Sequence, residues 1–514
     1  MVNTKNNLVS FLDSRLLFSI LFIILIIYKI LVINQFPYNQ RIDSSGFALG
    51  HIEEIYDSWY NYNFYPVSKD VGEKLFEGNI DNEIIASGNV DTSIRLHTGA
   101  SIIQGDFLRA AYATPNYLLF NKVSPLTSNI IISLFSFLIF NIFGLIKRKF
   151  LFTLTFSFFL VLSDFYIYEN YFNHNIFGLS ISLFLIIFSS FMLARKKSLL
   201  IRFVTIFILT VLISIFTNIR TELSLLFFSL IFLFLASFKF REFISYTIVA
   251  FIIFILSNNV INSYYLNKIS ETNKLISSMN GVVYTGPILS MHTLSHPLWM
   301  GLGDNKYGRA LGHKWEDNVA RLRVAELRPD IFTIDDLCGS RVCIYHDGHM
   351  TYPSYAEYMP GYQETLRDDI YVKFKNNKKI FVLIFFEKLK NQFTKLQGIH
   401  LNPNFICIKC EKNIFLKNLK AIFFNELPPS KDDYKSKLFL ISGFVLFLIG
   451  ASLFIIFTVI EIFKSNLKKY YNDLKVERFF IFSSIPLAIP ALIISDLGAT
   501  YSSIFHFGLL SGLF

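Results

Sequence analysis

The stretch Arg195–Arg241, RKKSLLIRFVTIFILTVLISIFTNIRTELSLLFFSLIFLFLASFKFR, decides the fold. It holds two apolar runs, 199–217 and 222–238. Each is close to the ~20 residues that a helix needs to cross a hydrocarbon core. Basic residues stand at both outer ends, Arg195-Lys196-Lys197 and Lys239 to Arg241. Between the runs lies only the turn Asn218 to Glu222, NIRTE. Positive charge gathers on the cytoplasmic side of membrane proteins, so the stretch reads as a helical hairpin with both ends inside and its turn outside.

The same punctuation extends in both directions. Lys147-Arg148-Lys149 and Lys464 to Lys475 also sit at the ends of apolar runs. The spacing predicts membrane helices near 15–35, 126–146, 150–168, 175–194, 199–217, 222–238, 243–260, 436–463 and 478–495. With the N-terminus inside, one alternation puts all four basic clusters inside and both long polar segments, about 37–125 and 261–435, outside. Composition agrees: 53% of residues are hydrophobic and 17% charged, with mean hydropathy +0.45, whereas soluble domains carry about 25% charged residues. The net charge of +10 is spent on helix ends and does not point to nucleic acid. The fold class expected is therefore an α-helical multi-pass membrane protein of about 9–10 transmembrane helices, with a mixed, mainly helical outer-face segment.

Five parts follow: 1–36, the N-terminal tail and first helix; 37–125, a first outer loop; 126–260, a helix bundle; 261–435, a large outer segment; and 436–514, C-terminal transmembrane helices. The first apolar run, Leu17 to Ile33, exceeds the roughly 7–15 residues of a signal-peptide core and is expected to be retained. Loops without structure seldom exceed about 12–15 residues, so 37–125 should fold against the membrane face, with Val71 to Phe76 and Ala110 to Phe120 as short interfacial helices. The aromatic run Tyr56, Trp59, Tyr60, Tyr62, Phe64 and Tyr65 fits anchoring at headgroup level better than sugar stacking. In the second segment, Tyr362, Leu366, Ile370 and Phe374 recur at helical spacing. Lys379 to Leu396 continues with an apolar face and lysines opposite, as in a helix lying along the outer surface. A crossing there would move Lys464 to Lys475 outside, against the charge rule.

All four cysteines, Cys338, Cys343, Cys407 and Cys410, lie in the second outer segment. Two local pairs in an oxidising compartment point to disulfides. His346 and His349 beside Cys343 leave zinc as the alternative. The sequence lacks GxxxxGK[ST], a GxGxxG after a strand, and HExxH, so phosphate-loop, dinucleotide and zincin chemistries lack support.

Polar clusters of the outer face are the candidate sites. Ile42 to Asp57, IDSSGFALGHIEEIYD, carries Asp43, Glu53, Glu54 and Asp57 with His51. The turn DFYIYENYFNH carries Asp164, Glu169 and His174, and NIRTE carries Arg220 and Glu222. HPLWMGLGD supplies His296, Trp299 and Asp304, followed by Trp315-Glu316-Asp317. For each, a bland reading stands beside the chemical one. Acids in turns are usually solvated, Arg220 and Glu222 neutralise each other, and Trp299 in a Gly-rich turn is more often packing than catalysis. The chemical reading has a carboxylate as general base, an arginine fork on phosphate oxygens, and outer-loop carboxylates able to hold Mg²⁺ or Mn²⁺ if a metal is used.

The layout resembles the GT-C class of membrane glycosyltransferases, which use polyprenyl-phosphate-linked sugars. The resemblance is one of architecture over most of the chain: a first helix, a long acidic first outer loop, short-looped helices and an outer C-terminal portion. It implies that Asp43, or the Glu53-Glu54 pair, is the base, that Asp164 or Glu169 is a second acidic site, and that Arg220 is the phosphate ligand. The chain carries no WWDYG-like motif, and two C-terminal helices after the large outer segment depart from the usual order. The implied activity is transfer of a sugar from a polyprenyl-phosphate donor to a glycan, lipid or protein acceptor on the outer face of a bacterial inner membrane. The alternatives are a transporter or flippase, and a non-enzymatic envelope assembly protein. The transporter reading lacks intramembrane charges and paired Gly/Pro-broken helices, since only Pro486 and Pro490 interrupt an apolar run.

Overall fold

The computed structural model describes residues 102–103, 106–120, 125–147, 178–219, 221–278, 288–289, 295–330, 345–346, 349–350, 361–395 and 483–487, with isolated positions between 20 and 27 and at 59, 63, 77, 149, 152–153, 156–157 and 479–480. Apart from two two-residue strand pairings, the described elements are helical.

In chain order these are strand β1 (Ile102–Ile103) and helices α1 (Asp106–Phe120), α2 (Leu126–Lys147), α3 (Gly178–Ala194) and α4 (Leu199–Ile219). A 3₁₀ turn (Thr221–Ser224) leads into α5 (Leu225–Ser237) and α6 (Phe240–Ser278). Strand β2 (Ile288–Leu289) precedes α7 (Ser295–Leu302), α8 (Lys306–Ala310) and α9 (Asp317–Leu327). The hairpin β3 (Tyr345–His346) and β4 (His349–Met350) is followed by α10 (Tyr362–Asn376) and α11 (Lys378–Lys395).

Thr127–Lys147, Leu199–Ile219 and Phe240–Ser278 are long and apolar enough to cross a membrane, and Leu179–Ala194 and Leu225–Ser237 are shorter apolar helices. These five form a bundle close to the expected positions. Its core is aromatic. Phe480 stands within ring contact of Phe140, Phe152, Phe156, Phe184 and Phe188, so a piece of the last apolar run packs among the central helices. Phe22 of the first apolar run stacks on Phe137 of α2, while Ile20, Ile23, Ile24 and Ile27 are exposed. Apolar side chains exposed on a helix of this kind are what lipid would cover. Small buried hydroxyls, Ser180, Ser182 and Ser189 on α3 and Ser133 and Ser136 on α2, let the helices approach closely.

The basic clusters gather at one end. The charges of Arg195, Lys196 and Lys197 act on Lys147 at the end of α2. The Arg195 guanidinium lies over the Phe479 ring, and Arg202 faces the rings of Phe238 and Tyr246, beside Lys239. This is the alternation expected from the charge pattern. Lys464 to Lys475 lies outside the described residues.

One boundary differs from expectation. Helix α6 is one continuous run of 39 residues, ~59 Å at about 1.5 Å per residue, so it outruns a hydrocarbon core of about 30 Å. Its polar second half stays helical because Tyr265, Ile269, Thr272 and Ile276 are buried along one side. There Phe107 of α1 packs against Tyr264 and Tyr265, and Trp59 covers Phe107 and Tyr264. The first loop thus reaches the extension of α6. Parallel pairing of Ile102 with Ile288 and Ile103 with Leu289 joins the two long polar segments a second time.

Helices α7 to α11 form a small module with its own core of Trp299, Met300, Ala320, Val324, Ala325, Tyr362 and Leu366. The buried face of α10 is Tyr362, Thr365, Leu366 and Asp369, and Phe374 is exposed. The face expected from apolar spacing is rotated because Asp369 is drawn in by polar partners on α7 and α9.

Candidate functional site

Two polar centres stand out. The first closes one end of the bundle. Helix α1 lies across the start of α2 and the end of α4. Its residues Ala110, Tyr112, Ala113 and Asn116 are buried, while Leu118 and Leu119 are exposed. Arg109 Nε donates to the carbonyl of Ile219, the last residue of α4, at 3.0 Å. The final carbonyls of a helix lack intrahelical donors and carry the negative end of its dipole, so a guanidinium is well suited there. The Tyr112 hydroxyl donates to Asn129 Oδ1 at 2.6 Å, and Thr127 donates to Asn116 Oδ1 at 2.8 Å. Ser128 donates to the Tyr112 carbonyl. The Tyr112 ring also meets Phe216 edge-on. One tyrosine therefore couples α2 to α4.

A polar chain enters the bundle one turn deeper. Asn218 Nδ2 donates to Asn258 Oδ1 at 2.6 Å, and Asn258 Nδ2 donates to Ser214 Oγ at 3.0 Å and to the Phe254 carbonyl at 2.8 Å. Polar groups inside a membrane are costly unless paired. Here the pairs hold α4 to α6 directly below the turn that carries Arg220 and Glu222.

The second centre is Asp369, the hub of the small module. Its Oδ2 accepts from Trp299 Nε1 at 2.7 Å and lies 2.7 Å from Lys373 Nζ. Its Oδ1 accepts from Arg323 Nε at 3.3 Å and Nη2 at 3.0 Å. Burial by itself pushes the Asp369 carboxyl up, but the hydrogen bonds from Lys373, Trp299 and Arg323 outweigh it and hold the group below the usual carboxylate range. Burial lowers Arg323, and its bonds to Asp369 and then Glu326 more than reverse this. A carboxylate with both oxygens occupied and its pKa depressed is a poor general base. It is an assembly point for three helices.

His313 is fully buried, with its ring 4.6 Å from that of Trp299. The Trp299 backbone weakly favours its charged form, and neither ring nitrogen has a full hydrogen-bond partner among the described residues. Burial, then the Lys373 charge, lower its pKa to about 4 against the partial opposition of Asp369. His296 Nδ1 lies 2.9 Å from the Tyr362 hydroxyl. The loop linking α7 to α9 is tightly wound. Asn305 caps α8 by accepting from the backbone of Tyr307 and Gly308 at 3.0 Å each. A Cβ on Gly308 would fall 1.6 Å from the Leu302 carbonyl oxygen, so only glycine fits.

Of the residues singled out from the sequence, the structure brings His296 and Trp299 together inside the module core, both almost without exposure. Asp304 stands partly buried in the turn after α7. Glu222 lies in the 3₁₀ turn after α4. Asp43, Glu53, Glu54, Asp164, Glu169 and Arg220 lie outside the described residues, as do Cys338, Cys343, Cys407 and Cys410. Among the described residues, no group of three or more His, Cys, Asp or Glu side chains is placed to hold a metal ion. The sequence reading passed over Asp369, Arg323, Lys373, His313, Arg109 and Tyr112. Only the spacing of two of them is visible in the sequence: Asp369 and Lys373 stand seven and eleven residues after Tyr362, on one helical face, but charged side chains at that spacing read as solvent-facing. Comparison with protein-family models, curated proteins and solved structures finds no match.

Proposed function

We propose that the protein is a membrane glycosyltransferase of GT-C-like architecture, moving a sugar from a polyprenyl-phosphate donor to a glycan, lipid or protein acceptor. The observation that carries this reading is the convergence at one bundle end. Helix α1 is pinned to the end of α4 by Arg109, the two long polar segments join at β1 and β2, and the turn bearing Arg220 and Glu222 follows directly. A polyprenyl phosphate would enter laterally from the bilayer, with its diphosphate or phosphate against Arg220. A first-loop carboxylate, Asp43 or the Glu53-Glu54 pair, would deprotonate the acceptor, with Asp164 or Glu169 as the second acid and Mg²⁺ or Mn²⁺ as the divalent ion if one is used. The membrane is taken as a bacterial inner membrane with the N-terminus cytoplasmic.

The test is transfer by the full chain reconstituted in vesicles, assayed against a panel of polyprenyl-phosphate and polyprenyl-diphosphate sugars. Transfer by the natural protein, with losses of 10²-fold or more in D43N or E53Q/E54Q, in line with removal of a general base, supports the reading. Absence of both binding and turnover across the panel would sink it.

A further inference from the structure

Helix α11 is built with its polarity reversed for a protein in water. Lys388 and Ile384 are each 3% exposed, while Val382, Leu383, Phe385 and Phe386 are 52%, 44%, 47% and 58% exposed. At ~100° per residue, Lys378, Lys379, Val382, Leu383, Phe385 and Phe386 fall on one half of the helix, and Ile380, Phe381, Ile384, Glu387 and Lys388 on the other. The second half packs on α8 and α10. The apolar half faces outward. Tyr371, Val372 and Phe374 of α10 are also exposed, and Phe374 meets Phe381 edge-on at the elbow between the helices.

An outward apolar face that runs along two successive helices marks a surface that something covers. Two features identify the cover. The charges around the elbow are exposed and of one sign, Lys375, Lys378 and Lys379. The chain also carries helices apolar enough to cross a membrane, whose exposed aliphatic faces call for lipid. An amphipathic helix with aromatic and aliphatic residues on one face and lysines at its margin fits the boundary between headgroups and acyl chains.

We propose that the α10–α11 elbow is a membrane-interface surface, with Val382, Leu383, Phe385 and Phe386 set among the acyl chains and Lys375, Lys378 and Lys379 on anionic lipid phosphates. It would hold the Asp369 module at headgroup level. The proposal needs no sugar transfer, so it and the transferase reading fail separately.

The full chain is reconstituted in vesicles of phosphatidylcholine and phosphatidylglycerol, with tryptophan placed by F386W and, as an aqueous control, by D330W; Asp330 is 64% exposed in the turn after α9. After subtraction of the natural protein's emission, the F386W signal is expected to be quenched by lipids brominated on their acyl chains and spared by acrylamide. D330W should show the reverse. Adding K375E/K378E/K379E to F386W should cut the bromolipid quenching at least twofold in anionic vesicles, since each lysine near an anionic surface contributes several-fold to binding. Quenching of F386W by acrylamide would overturn the proposal. Protection from both quenchers would overturn it too, showing that a second copy, another protein or the rest of this chain covers the face.

Discussion

Asp369 shows how a single carboxylate can organise a fold. It accepts from an indole, an ammonium and a guanidinium, one from each of α7, α10 and α9. Asp369→Asn keeps the shape but strands Lys373 and Arg323 beside each other. We expect a loss of about 3 kcal/mol, the low end for breaking a buried pair, because Arg323 is a third exposed and solvent screens its share. Trypsin cleavage within 295–330 should report it, and an unchanged cleavage rate would refute it. His313 makes the same core sensitive to acid. It is neutral when folded, with its pKa lowered to about 4 from 6.5, so the unfolded chain binds more protons between those values. Its contribution is complete above pH 6.5, falls as the pH drops toward 4, and is constant below. Two and a half pH units at about 1.4 kcal/mol each set an upper bound of about 3.5 kcal/mol. The Asp369 contribution is lost only at lower pH, as the medium falls through its depressed pKa. Melting of H313L against the natural protein between pH 7 and 4 should therefore show a flatter acid slope in the variant.

At the scale of elements, the bundle is held by two kinds of contact. Phenylalanines fill the space around Phe480, and short polar pairs fix which helices are neighbours. Helices α4 and α6 touch through Ser214, Asn218 and Asn258. Hydrogen bonds between membrane helices couple by about 0.6 kcal/mol and at most about 1.7. A double-mutant cycle of N218A and N258A, followed by reversible unfolding in bicelles, should return a coupling in that range. A coupling of zero would mean that the pair does not hold the helices. Helix α1 is set by different means. Pro115 stands inside it, without an N–H to bond back to Ala111, while Tyr112 and Asn116 on the preceding and following turns tie it to α2.

At the scale of the whole molecule, positive charge occupies one bundle end, and α1, the 3₁₀ turn and the joined polar segments occupy the other. Sidedness follows. In a chain with Cys338, Cys343, Cys407 and Cys410 replaced by serine, K196C and R367C should react with an impermeant maleimide from opposite faces of sealed vesicles. Reaction of both from one face would remove the proposed topology, and with it the outer location of the candidate site.

The sequence by itself determined that the chain carries helices long and apolar enough to cross a membrane, the positions of α2 to α6, and the helicity of α1, α10 and α11. Apolar run length, basic punctuation and 3.6-residue spacing are local properties that a chain carries before it folds. Only the tertiary structure decided that α6 runs on past the apolar stretch, because aromatic residues from Trp59 and Phe107, far away in sequence, cover its polar half. It also decided that the buried face of α10 turns on Asp369 instead of Ile370. A charged residue reads as solvent-facing until its indole, guanidinium and ammonium partners are brought to it from three helices. Trp299 likewise carried no local sign of its role, since the carboxylate that fixes it lies seventy residues further along the chain.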